Sequence, residues 1–200
     1  MTDQELYRNL GALTKDKGVW QKSIPYVGSL LEGQSSKITA KALWLLGEMG
    51  LHYPDGVVPH IAKIASFVDS QDDLLRERAL NALGRIGRAR YETVMPYWEK
   101  MLASAKDTNP RVRLAFVWAS ENIATYTPEP YGSYMPLFAE LLHDDDDRVR
   151  MEAPEMFRVM GKRRPEFVRP YIEQLRALSE TDSNRVVRIH CLGAIKSIGQ

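Results

Sequence analysis

The chain has 200 residues, 44% hydrophobic and 26% charged, and its 27 basic and 26 acidic side chains leave a formal net charge of +1. That is the composition of an ordinary folded domain. It shows none of the basic excess with which a protein usually neutralises duplex DNA. Both halves are balanced: residues 1–100 carry 13 basic and 12 acidic groups, and residues 101–200 carry 14 of each. The single cysteine, Cys191, rules out an intramolecular disulfide and fits a reducing compartment, expected here to be cytoplasmic. No apolar run reaches the roughly 18 residues of a membrane-spanning helix, and the N-terminus MTDQELYRNL lacks the apolar core of a signal peptide.

Taken in order, Asp3 to Leu13 reads as a short helix, with Asp3 placed to cap it and Leu6, Leu10 and Leu13 on one stripe. After the turn TKDKGV (14–19) the chain writes one two-helix unit five times. The first helix of each unit, helix A, is announced by a proline: Pro25, Pro59, Pro96, Pro136 and Pro170. In a first helical turn proline forfeits no intrahelical hydrogen bond. A polar turn follows (GQSS, SQDD, KDTNP, DDDD or TDSN), whose Asp, Asn and Ser can cap the next helix.

That next helix, helix B, carries the clearest repetition: ITAKALWLLGEMG (38–50), LRERALNALGRIG (75–87), VRLAFVWASENIA (112–124), VRMEAPEMFRVMG (149–161) and VRIHCLGAIKSIG (187–199). The copies begin 37, 37, 37 and 38 residues apart, a period that marks a solenoid. With the first residue counted as zero, positions 4, 7, 8 and 11 are mostly apolar, as in Ala79, Ala82, Leu83 and Ile86, and they form one buried stripe. Gly50, Gly87, Gly161 and Gly199 are expected to end four copies in a left-handed C-terminal residue. The third copy is expected to run on through Thr125 and Tyr126 into an extended linker, TPEPYGS (127–133). Pro154, inside the fourth copy, is expected to kink its helix.

Paired helices of this period, proline in helix A, Asp at the turn, Val-Arg opening helix B and a closing Gly resemble HEAT repeats over residues 20–199. The resemblance implies an all-α fold: a right-handed α-α superhelix, or HEAT-like solenoid, of about five two-helix repeats plus an N-terminal helix, eleven helices in all. The whole of 1–200 is then one domain, with a cap helix at 1–19 and repeats at about 20–50, 55–88, 90–126, 131–162 and 165–200. It also implies a ladder between neighbouring repeats, with Asp107, Asp144 and Asp182 paired to members of the series Arg76, Arg113, Arg150 and Arg188. The first unit departs, with Gly33 and Thr39 in those places.

No catalytic constellation is visible. The histidines (His52, His60, His143, His190) show neither HExxH nor Cys-His ligand spacing, so no metal and no cofactor are expected. His190 and Cys191 are neighbours that point about 100° apart on a helix, and Cys191 takes the core place held by Ala42, Ala79 and Ala153. The run Asp144–Asp147 lacks the glycine and bidentate Glu of a calcium loop and reads as a solvated capping turn. The basic clusters at 161–165 and 87–90 suit helix C-termini.

Trp44 and Trp118 stand out. Both occupy position 6 of helix B, off the apolar stripe, with Asn81 at the same place between them and Glu155 and Gly193 beyond. Such rigid aromatics are common binding anchors. Trp118 and Asn122 form a WxxxN pattern similar to the Trp-Asn ladder with which importin-α-type armadillo proteins clamp a peptide; Trp44 is followed by Glu48 and Asn81 by Arg85. The expected function is a non-catalytic scaffold that binds a protein or peptide on a concave helix-B face near Lys41, Trp44, Arg78, Asn81, Arg85, Trp118, Asn122, Glu152 and Glu155. A second reading resembles the HEAT-like alkylpurine DNA glycosylases, casting Trp118, Glu155 and Arg158 in their Trp, acid and Arg roles; a third resembles bilin-lyase HEAT proteins. A nucleic-acid or membrane partner is not expected, whereas self-association through the uncapped C-terminal end is.

Overall fold

The repeat register becomes alternating short and long helices in a computed structural model that describes residues 1–198. The closing Gly199 of the fifth copy lies outside the described residues. The chain divides into two units, Met1–Ser104 and Ala105–Gln200. The boundary falls inside the third repeat, between its helix A and its helix B.

The first unit contains α1 (Asp3–Leu13), α2 (Trp20–Ser29), α3 (Ser36–His52), α4 (Pro54–Val57), α5 (Ile61–Ser66), α6 (Asp73–Ala89), α7 (Tyr91–Val94) and α8 (Trp98–Ala103). Thr2, not Asp3, caps α1: its hydroxyl accepts from the Glu5 amide while the Glu5 carboxylate accepts from Thr2 N–H, a reciprocal box. The helix-B segments α3 and α6 pack side by side. Ile38, Leu43 and Leu46 of α3, Leu80, Leu83 and Ile86 of α6, and Trp20 and Ile24 of α2, which packs on α3, are all buried.

In the second unit come α9 (Pro110–Ala124), α10 (Met135–Leu141), α11 (Asp147–Arg163), α12 (Pro165–Val168), α13 (Ile172–Thr181) and α14 (Arg185–Ser197). Here α11 packs against both α9 and α14. Phe116 of α9 and Phe138 of α10 stack with ring centroids 5.3 Å apart, and Phe157, Val187 and Cys191 extend the same core.

Four local expectations are corrected. Helix A is broken, so the described residues hold 14 α-helical segments where eleven helices were expected. In three repeats a short α-turn leads into 3₁₀ geometry at Val58–His60, Met95–Tyr97 or Arg169–Tyr171, and only then does the second α-segment start. Pro59, Pro96 and Pro170 sit in those 3₁₀ turns because a ring nitrogen cannot donate to the preceding turn. Pro25 lies inside α2 and not in its first turn. The third helix B stops at Ala124. The supposed linker behind it is a 3₁₀ helix, Glu129–Tyr134, anchored by the fully buried Tyr131.

The fourth correction concerns the glycines. Gly50, Gly87 and Gly161 lie within helices that continue to His52, Ala89 and Arg163, and Gly33 holds the one positive φ among the described residues. The helical glycines mark close approach instead. A Cβ on Gly47 would stand 2.7 Å from Ala82 Cα, and one on Gly50 would stand 2.5 Å from Ile86 Cγ1. Gly33, at φ 66°, turns the chain between α2 and α3, which explains glycine where later repeats carry Asp. Through Pro154, which is buried, α11 runs on as one helix.

The caps and the ladder follow the repeat. Side chains of Asp72, Asn109, Asp146 and Asn184 each accept from the backbone amide two residues on and so start α6, α9, α11 and α14. Ser35, at the same place before α3, makes no such bond. In the second unit Arg113 grips Asp144 with two hydrogen bonds, Nε to Oδ2 at 2.6 Å and Nη2 to Oδ1 at 2.7 Å. Its remaining nitrogen, Nη1, donates to the Asp107 carbonyl at 2.8 Å. Arg150 repeats the pattern with Asp182 at 3.3 Å and the Asp144 carbonyl at 2.8 Å. Each arginine therefore ties its own turn to the next one.

Replacing Gly47 with Ala is expected to destabilise the protein by about 1–2 kcal/mol in chemical denaturation. The helix-propensity gain of at most about 1 kcal/mol is smaller than the roughly 1–3 kcal/mol of overpacking against a backbone atom that cannot rotate away. Arg113→Ala, which strands the 6%-exposed Asp144 carboxylate, is expected to cost about 3 kcal/mol. Adding Asp144→Ala to that variant should recover part of the loss, as a double-mutant cycle would read.

Candidate partner-binding faces

On each long helix the position-6 side chain stands beside the buried stripe. In the first unit this is Trp44, which is half-buried. The Lys41 ammonium lies 4.3 Å from its ring centroid, and Lys37, one turn earlier on α3, lies 4.5 Å from the Tyr7 ring of α1. Arg78 reaches the same place from α6. These residues, with Ala40 and Leu74, line a hollow of about 270 Å³. Burial, and then the nearby Arg78 charge, pull the Lys41 ammonium below its ordinary pKa.

Other expected residues of this unit are committed elsewhere. Asn81 is only 7% exposed. Arg85 Nε pairs with Glu48 at 2.5 Å, and its Nη1 donates to the Asn81 carbonyl at 3.3 Å. The structure thus gathers Lys41, Trp44 and Arg78, and it sets Asn81 and Arg85 aside as internal partners.

The second unit presents Trp118, which is 40% exposed. Its indole N–H donates to the Glu152 carboxylate, and Asn122 Nδ2 donates to the Trp118 carbonyl at 2.9 Å. Beneath them lie two further carboxylates. Glu155, 9% exposed, is ion-paired to Arg158 and stands 3.4 Å from His190 Nδ1, a nitrogen that also lies 2.7 Å from the Met151 carbonyl. The other is Glu121, whose Oε1 is buried without a hydrogen-bond partner. Burial first, and then the Glu152 and Glu155 charges, push its pKa up to about 9. Burial raises Glu152 as well, against the opposing pull of the Trp118 hydrogen bond.

Glu121 was missed in the sequence, although the period carries a signal for it. At position 9 of helix B, Gly47 and Gly84 are followed by Glu121 and then Arg158. A carboxylate at the position where α3 needs glycine against Ala82 is a departure from the period.

Among the described residues no group of three or more His, Cys, Asp or Glu side chains is arranged to hold a metal ion. Three of the four consecutive aspartates have side-chain partners. Asp144 belongs to the ladder, Asp147 pairs with Arg150, and Asp146 binds Arg148, which holds its carboxyl down at about 2. Cys191 is fully buried, and burial pushes its thiol up to about 12. No described helix is long and apolar enough to cross a membrane.

Solved structures place this architecture in the HEAT and armadillo class of α-helical repeat proteins. An engineered protein matches at a TM-score of 0.70 and 18% identity, covering 95% of this chain and 83% of its own. A second engineered protein matches at 0.68 and 19%, covering 99% of both. A designed armadillo repeat protein, solved in complex with the peptide (KR)4, matches at 0.67 and 16%, covering 96% and 86%. No curated protein sequence matches the chain. The family model described as sister chromatid cohesion protein PDS5 matches residues 13–197, and the chain belongs to that family.

The buried acid makes stability depend on pH. Glu121 binds its proton more tightly when folded than when unfolded, so its contribution is complete below about pH 4.5 and is lost as pH rises towards about 9. Each pH unit in that window costs at most about 1.4 kcal/mol. Glu121→Gln is expected to be more stable than the parent at pH 8 and to show a flatter stability profile between pH 5 and pH 9, as read by urea denaturation across pH.

Proposed function

We propose that the protein is a non-catalytic interaction module, and that each unit offers its own helix-B face to a segment of a protein partner. The observation that carries this reading is the state of the two position-6 tryptophans. Leu43 and Leu45 beside Trp44 and Val117 and Ala119 beside Trp118 are buried, yet both indoles keep solvent-facing surface. A large apolar ring held open on a rigid helix costs little conformational entropy to dock against, which is the usual character of a binding anchor. Lys41 and Arg78 lie beside Trp44, and Asn122 and Glu152 beside Trp118, where they supply polar contacts.

One comparison supports the choice of a protein ligand. A designed armadillo relative was solved with a peptide. A DNA-repair role receives less support. The residues cast for it bring Trp118 against Glu152 and tie Arg158 to Glu155, an acidic setting that repels phosphate.

The test begins with selection of binding peptides from a random display library. Trp44→Ala and Trp118→Ala are then measured against the selected peptides. Each variant is expected to lose about 30-fold or more in affinity for the peptides that its own unit binds, the size of a hot-spot truncation, with a stability loss under about 1 kcal/mol, as for an exposed site. A loss of several kcal/mol in stability would assign the rings to packing. Steeply salt-dependent binding of DNA in a gel shift, with no peptide selected, would move the function to nucleic acid.

A further inference from the structure

Resting on that partner-binding reading, we propose that the hollow over Trp44 is an acceptor for an acidic side chain of the bound segment, a carboxylate or a phosphate ester. Three cations, Lys37, Lys41 and Arg78, converge on it, and no carboxylate lines it.

Four other cations of the first unit have acidic partners. Arg85 is paired with Glu48, Arg90 with Asp55, Lys63 with Glu32 and Lys100 with Asp69, each between neighbouring repeats. Around Trp44 that habit lapses. Lys41 has an aromatic face and no acidic partner among the described residues. Arg78 touches only the edge of the adjacent Glu77, at 3.6 Å, which leaves the guanidinium fork open.

Holding two like charges together at a half-buried place is unfavourable by itself, and an anion between them removes the conflict. A planar guanidinium beside an ammonium suits either a carboxylate or a phosphate. Trp44, Tyr7 and Leu74 give apolar walls for the stem that carries the anion. The volume, about 270 Å³, accommodates one side chain and not a whole helix.

The test uses the full chain labelled with ¹⁵N, with the Trp44 indole resonance assigned by Trp44→Phe. The probes are a Glu-rich peptide, a phosphoserine peptide, a Lys-rich peptide, a neutral peptide, a single-stranded oligonucleotide and inorganic phosphate. The expected result is that the Glu-rich peptide, the phosphoserine peptide or both shift the Trp44 resonance. Lys41→Gln and Arg78→Gln, checked for unchanged melting, should each weaken that binding by at least about tenfold. The double variant Lys41→Glu/Arg78→Glu should reverse the preference towards the Lys-rich peptide.

Neutral or basic peptides binding better through Trp44 would overturn the acidic acceptor and leave the partner-binding reading intact. Binding of the oligonucleotide or of free phosphate through Lys41 and Arg78, without the acidic peptides, would overturn it as well. Acidic peptides that bind the Gln variants undiminished would do the same. If no peptide of any charge perturbs either Trp44 or Trp118, both readings fall together.

Discussion

The near contact of neighbouring helix-B backbones is the constraint from which the other features follow. In the first unit α3 and α6 approach until a single methyl group on Gly47 would collide with the Ala82 backbone. At that spacing only small residues fit along the seam, and the apolar stripe fills the space behind it. A side chain as large as tryptophan at position 6 has no room in the seam and must ride above it. The exposure of Trp44 is thus a result of the packing below. The same approach sets Lys41 on α3 near Arg78 on α6, so that two charges from different repeats share one hollow.

The second unit solves the same problem with polar chemistry. Where glycine would allow contact, Glu121 and Arg158 intervene, and the seam fills with carboxylates held by an arginine, a histidine and an indole. Farther along the helices the arginine ladder does mechanical work. Arg113 joins the Asp107 carbonyl to the Asp144 carboxylate, which fixes the spacing of successive turns with hydrogen bonds that side-chain packing alone could not orient. The charges in the ladder serve architecture; those above the seam are the ones left to meet a ligand.

Much of this was legible from periodicity. The long helices, the prolines of helix A, the capping Asp and Asn residues, the Arg–Asp ladder and the burial of Cys191 all recur with the repeat, and what recurs is set by local geometry. The misreadings share a cause. Gly50, Gly87 and Gly161 were taken as terminators because glycine at the end of an apolar pattern has that local meaning, whereas all three lie inside helices and at Gly50 and Gly161 a neighbouring helix demanded it. Tyr131 in a Pro-rich stretch looked like linker because its burial depends on tertiary contacts the local sequence does not display. The candidate site was half legible. Position 6 pointed to Trp44 and Trp118, but Asn81 and Glu155 shared that position and proved to be buried. The convergence of Tyr7, Lys37 and Arg78 from three helices is a matter of three-dimensional neighbourhood, as is the depth of Glu121.

That depth also changes the electrical identity of the whole chain. The formal charge of +1 and the isoelectric point near 7.8 count every glutamate as ionised at neutral pH. Burial pushes the Glu121 carboxyl up to about 9, so that group keeps its proton at neutral pH in the folded chain and loses it in the denatured one. Folded and denatured chains therefore differ in charge at pH 7. In a transverse urea-gradient gel the two forms migrate differently for that reason as well as for their size.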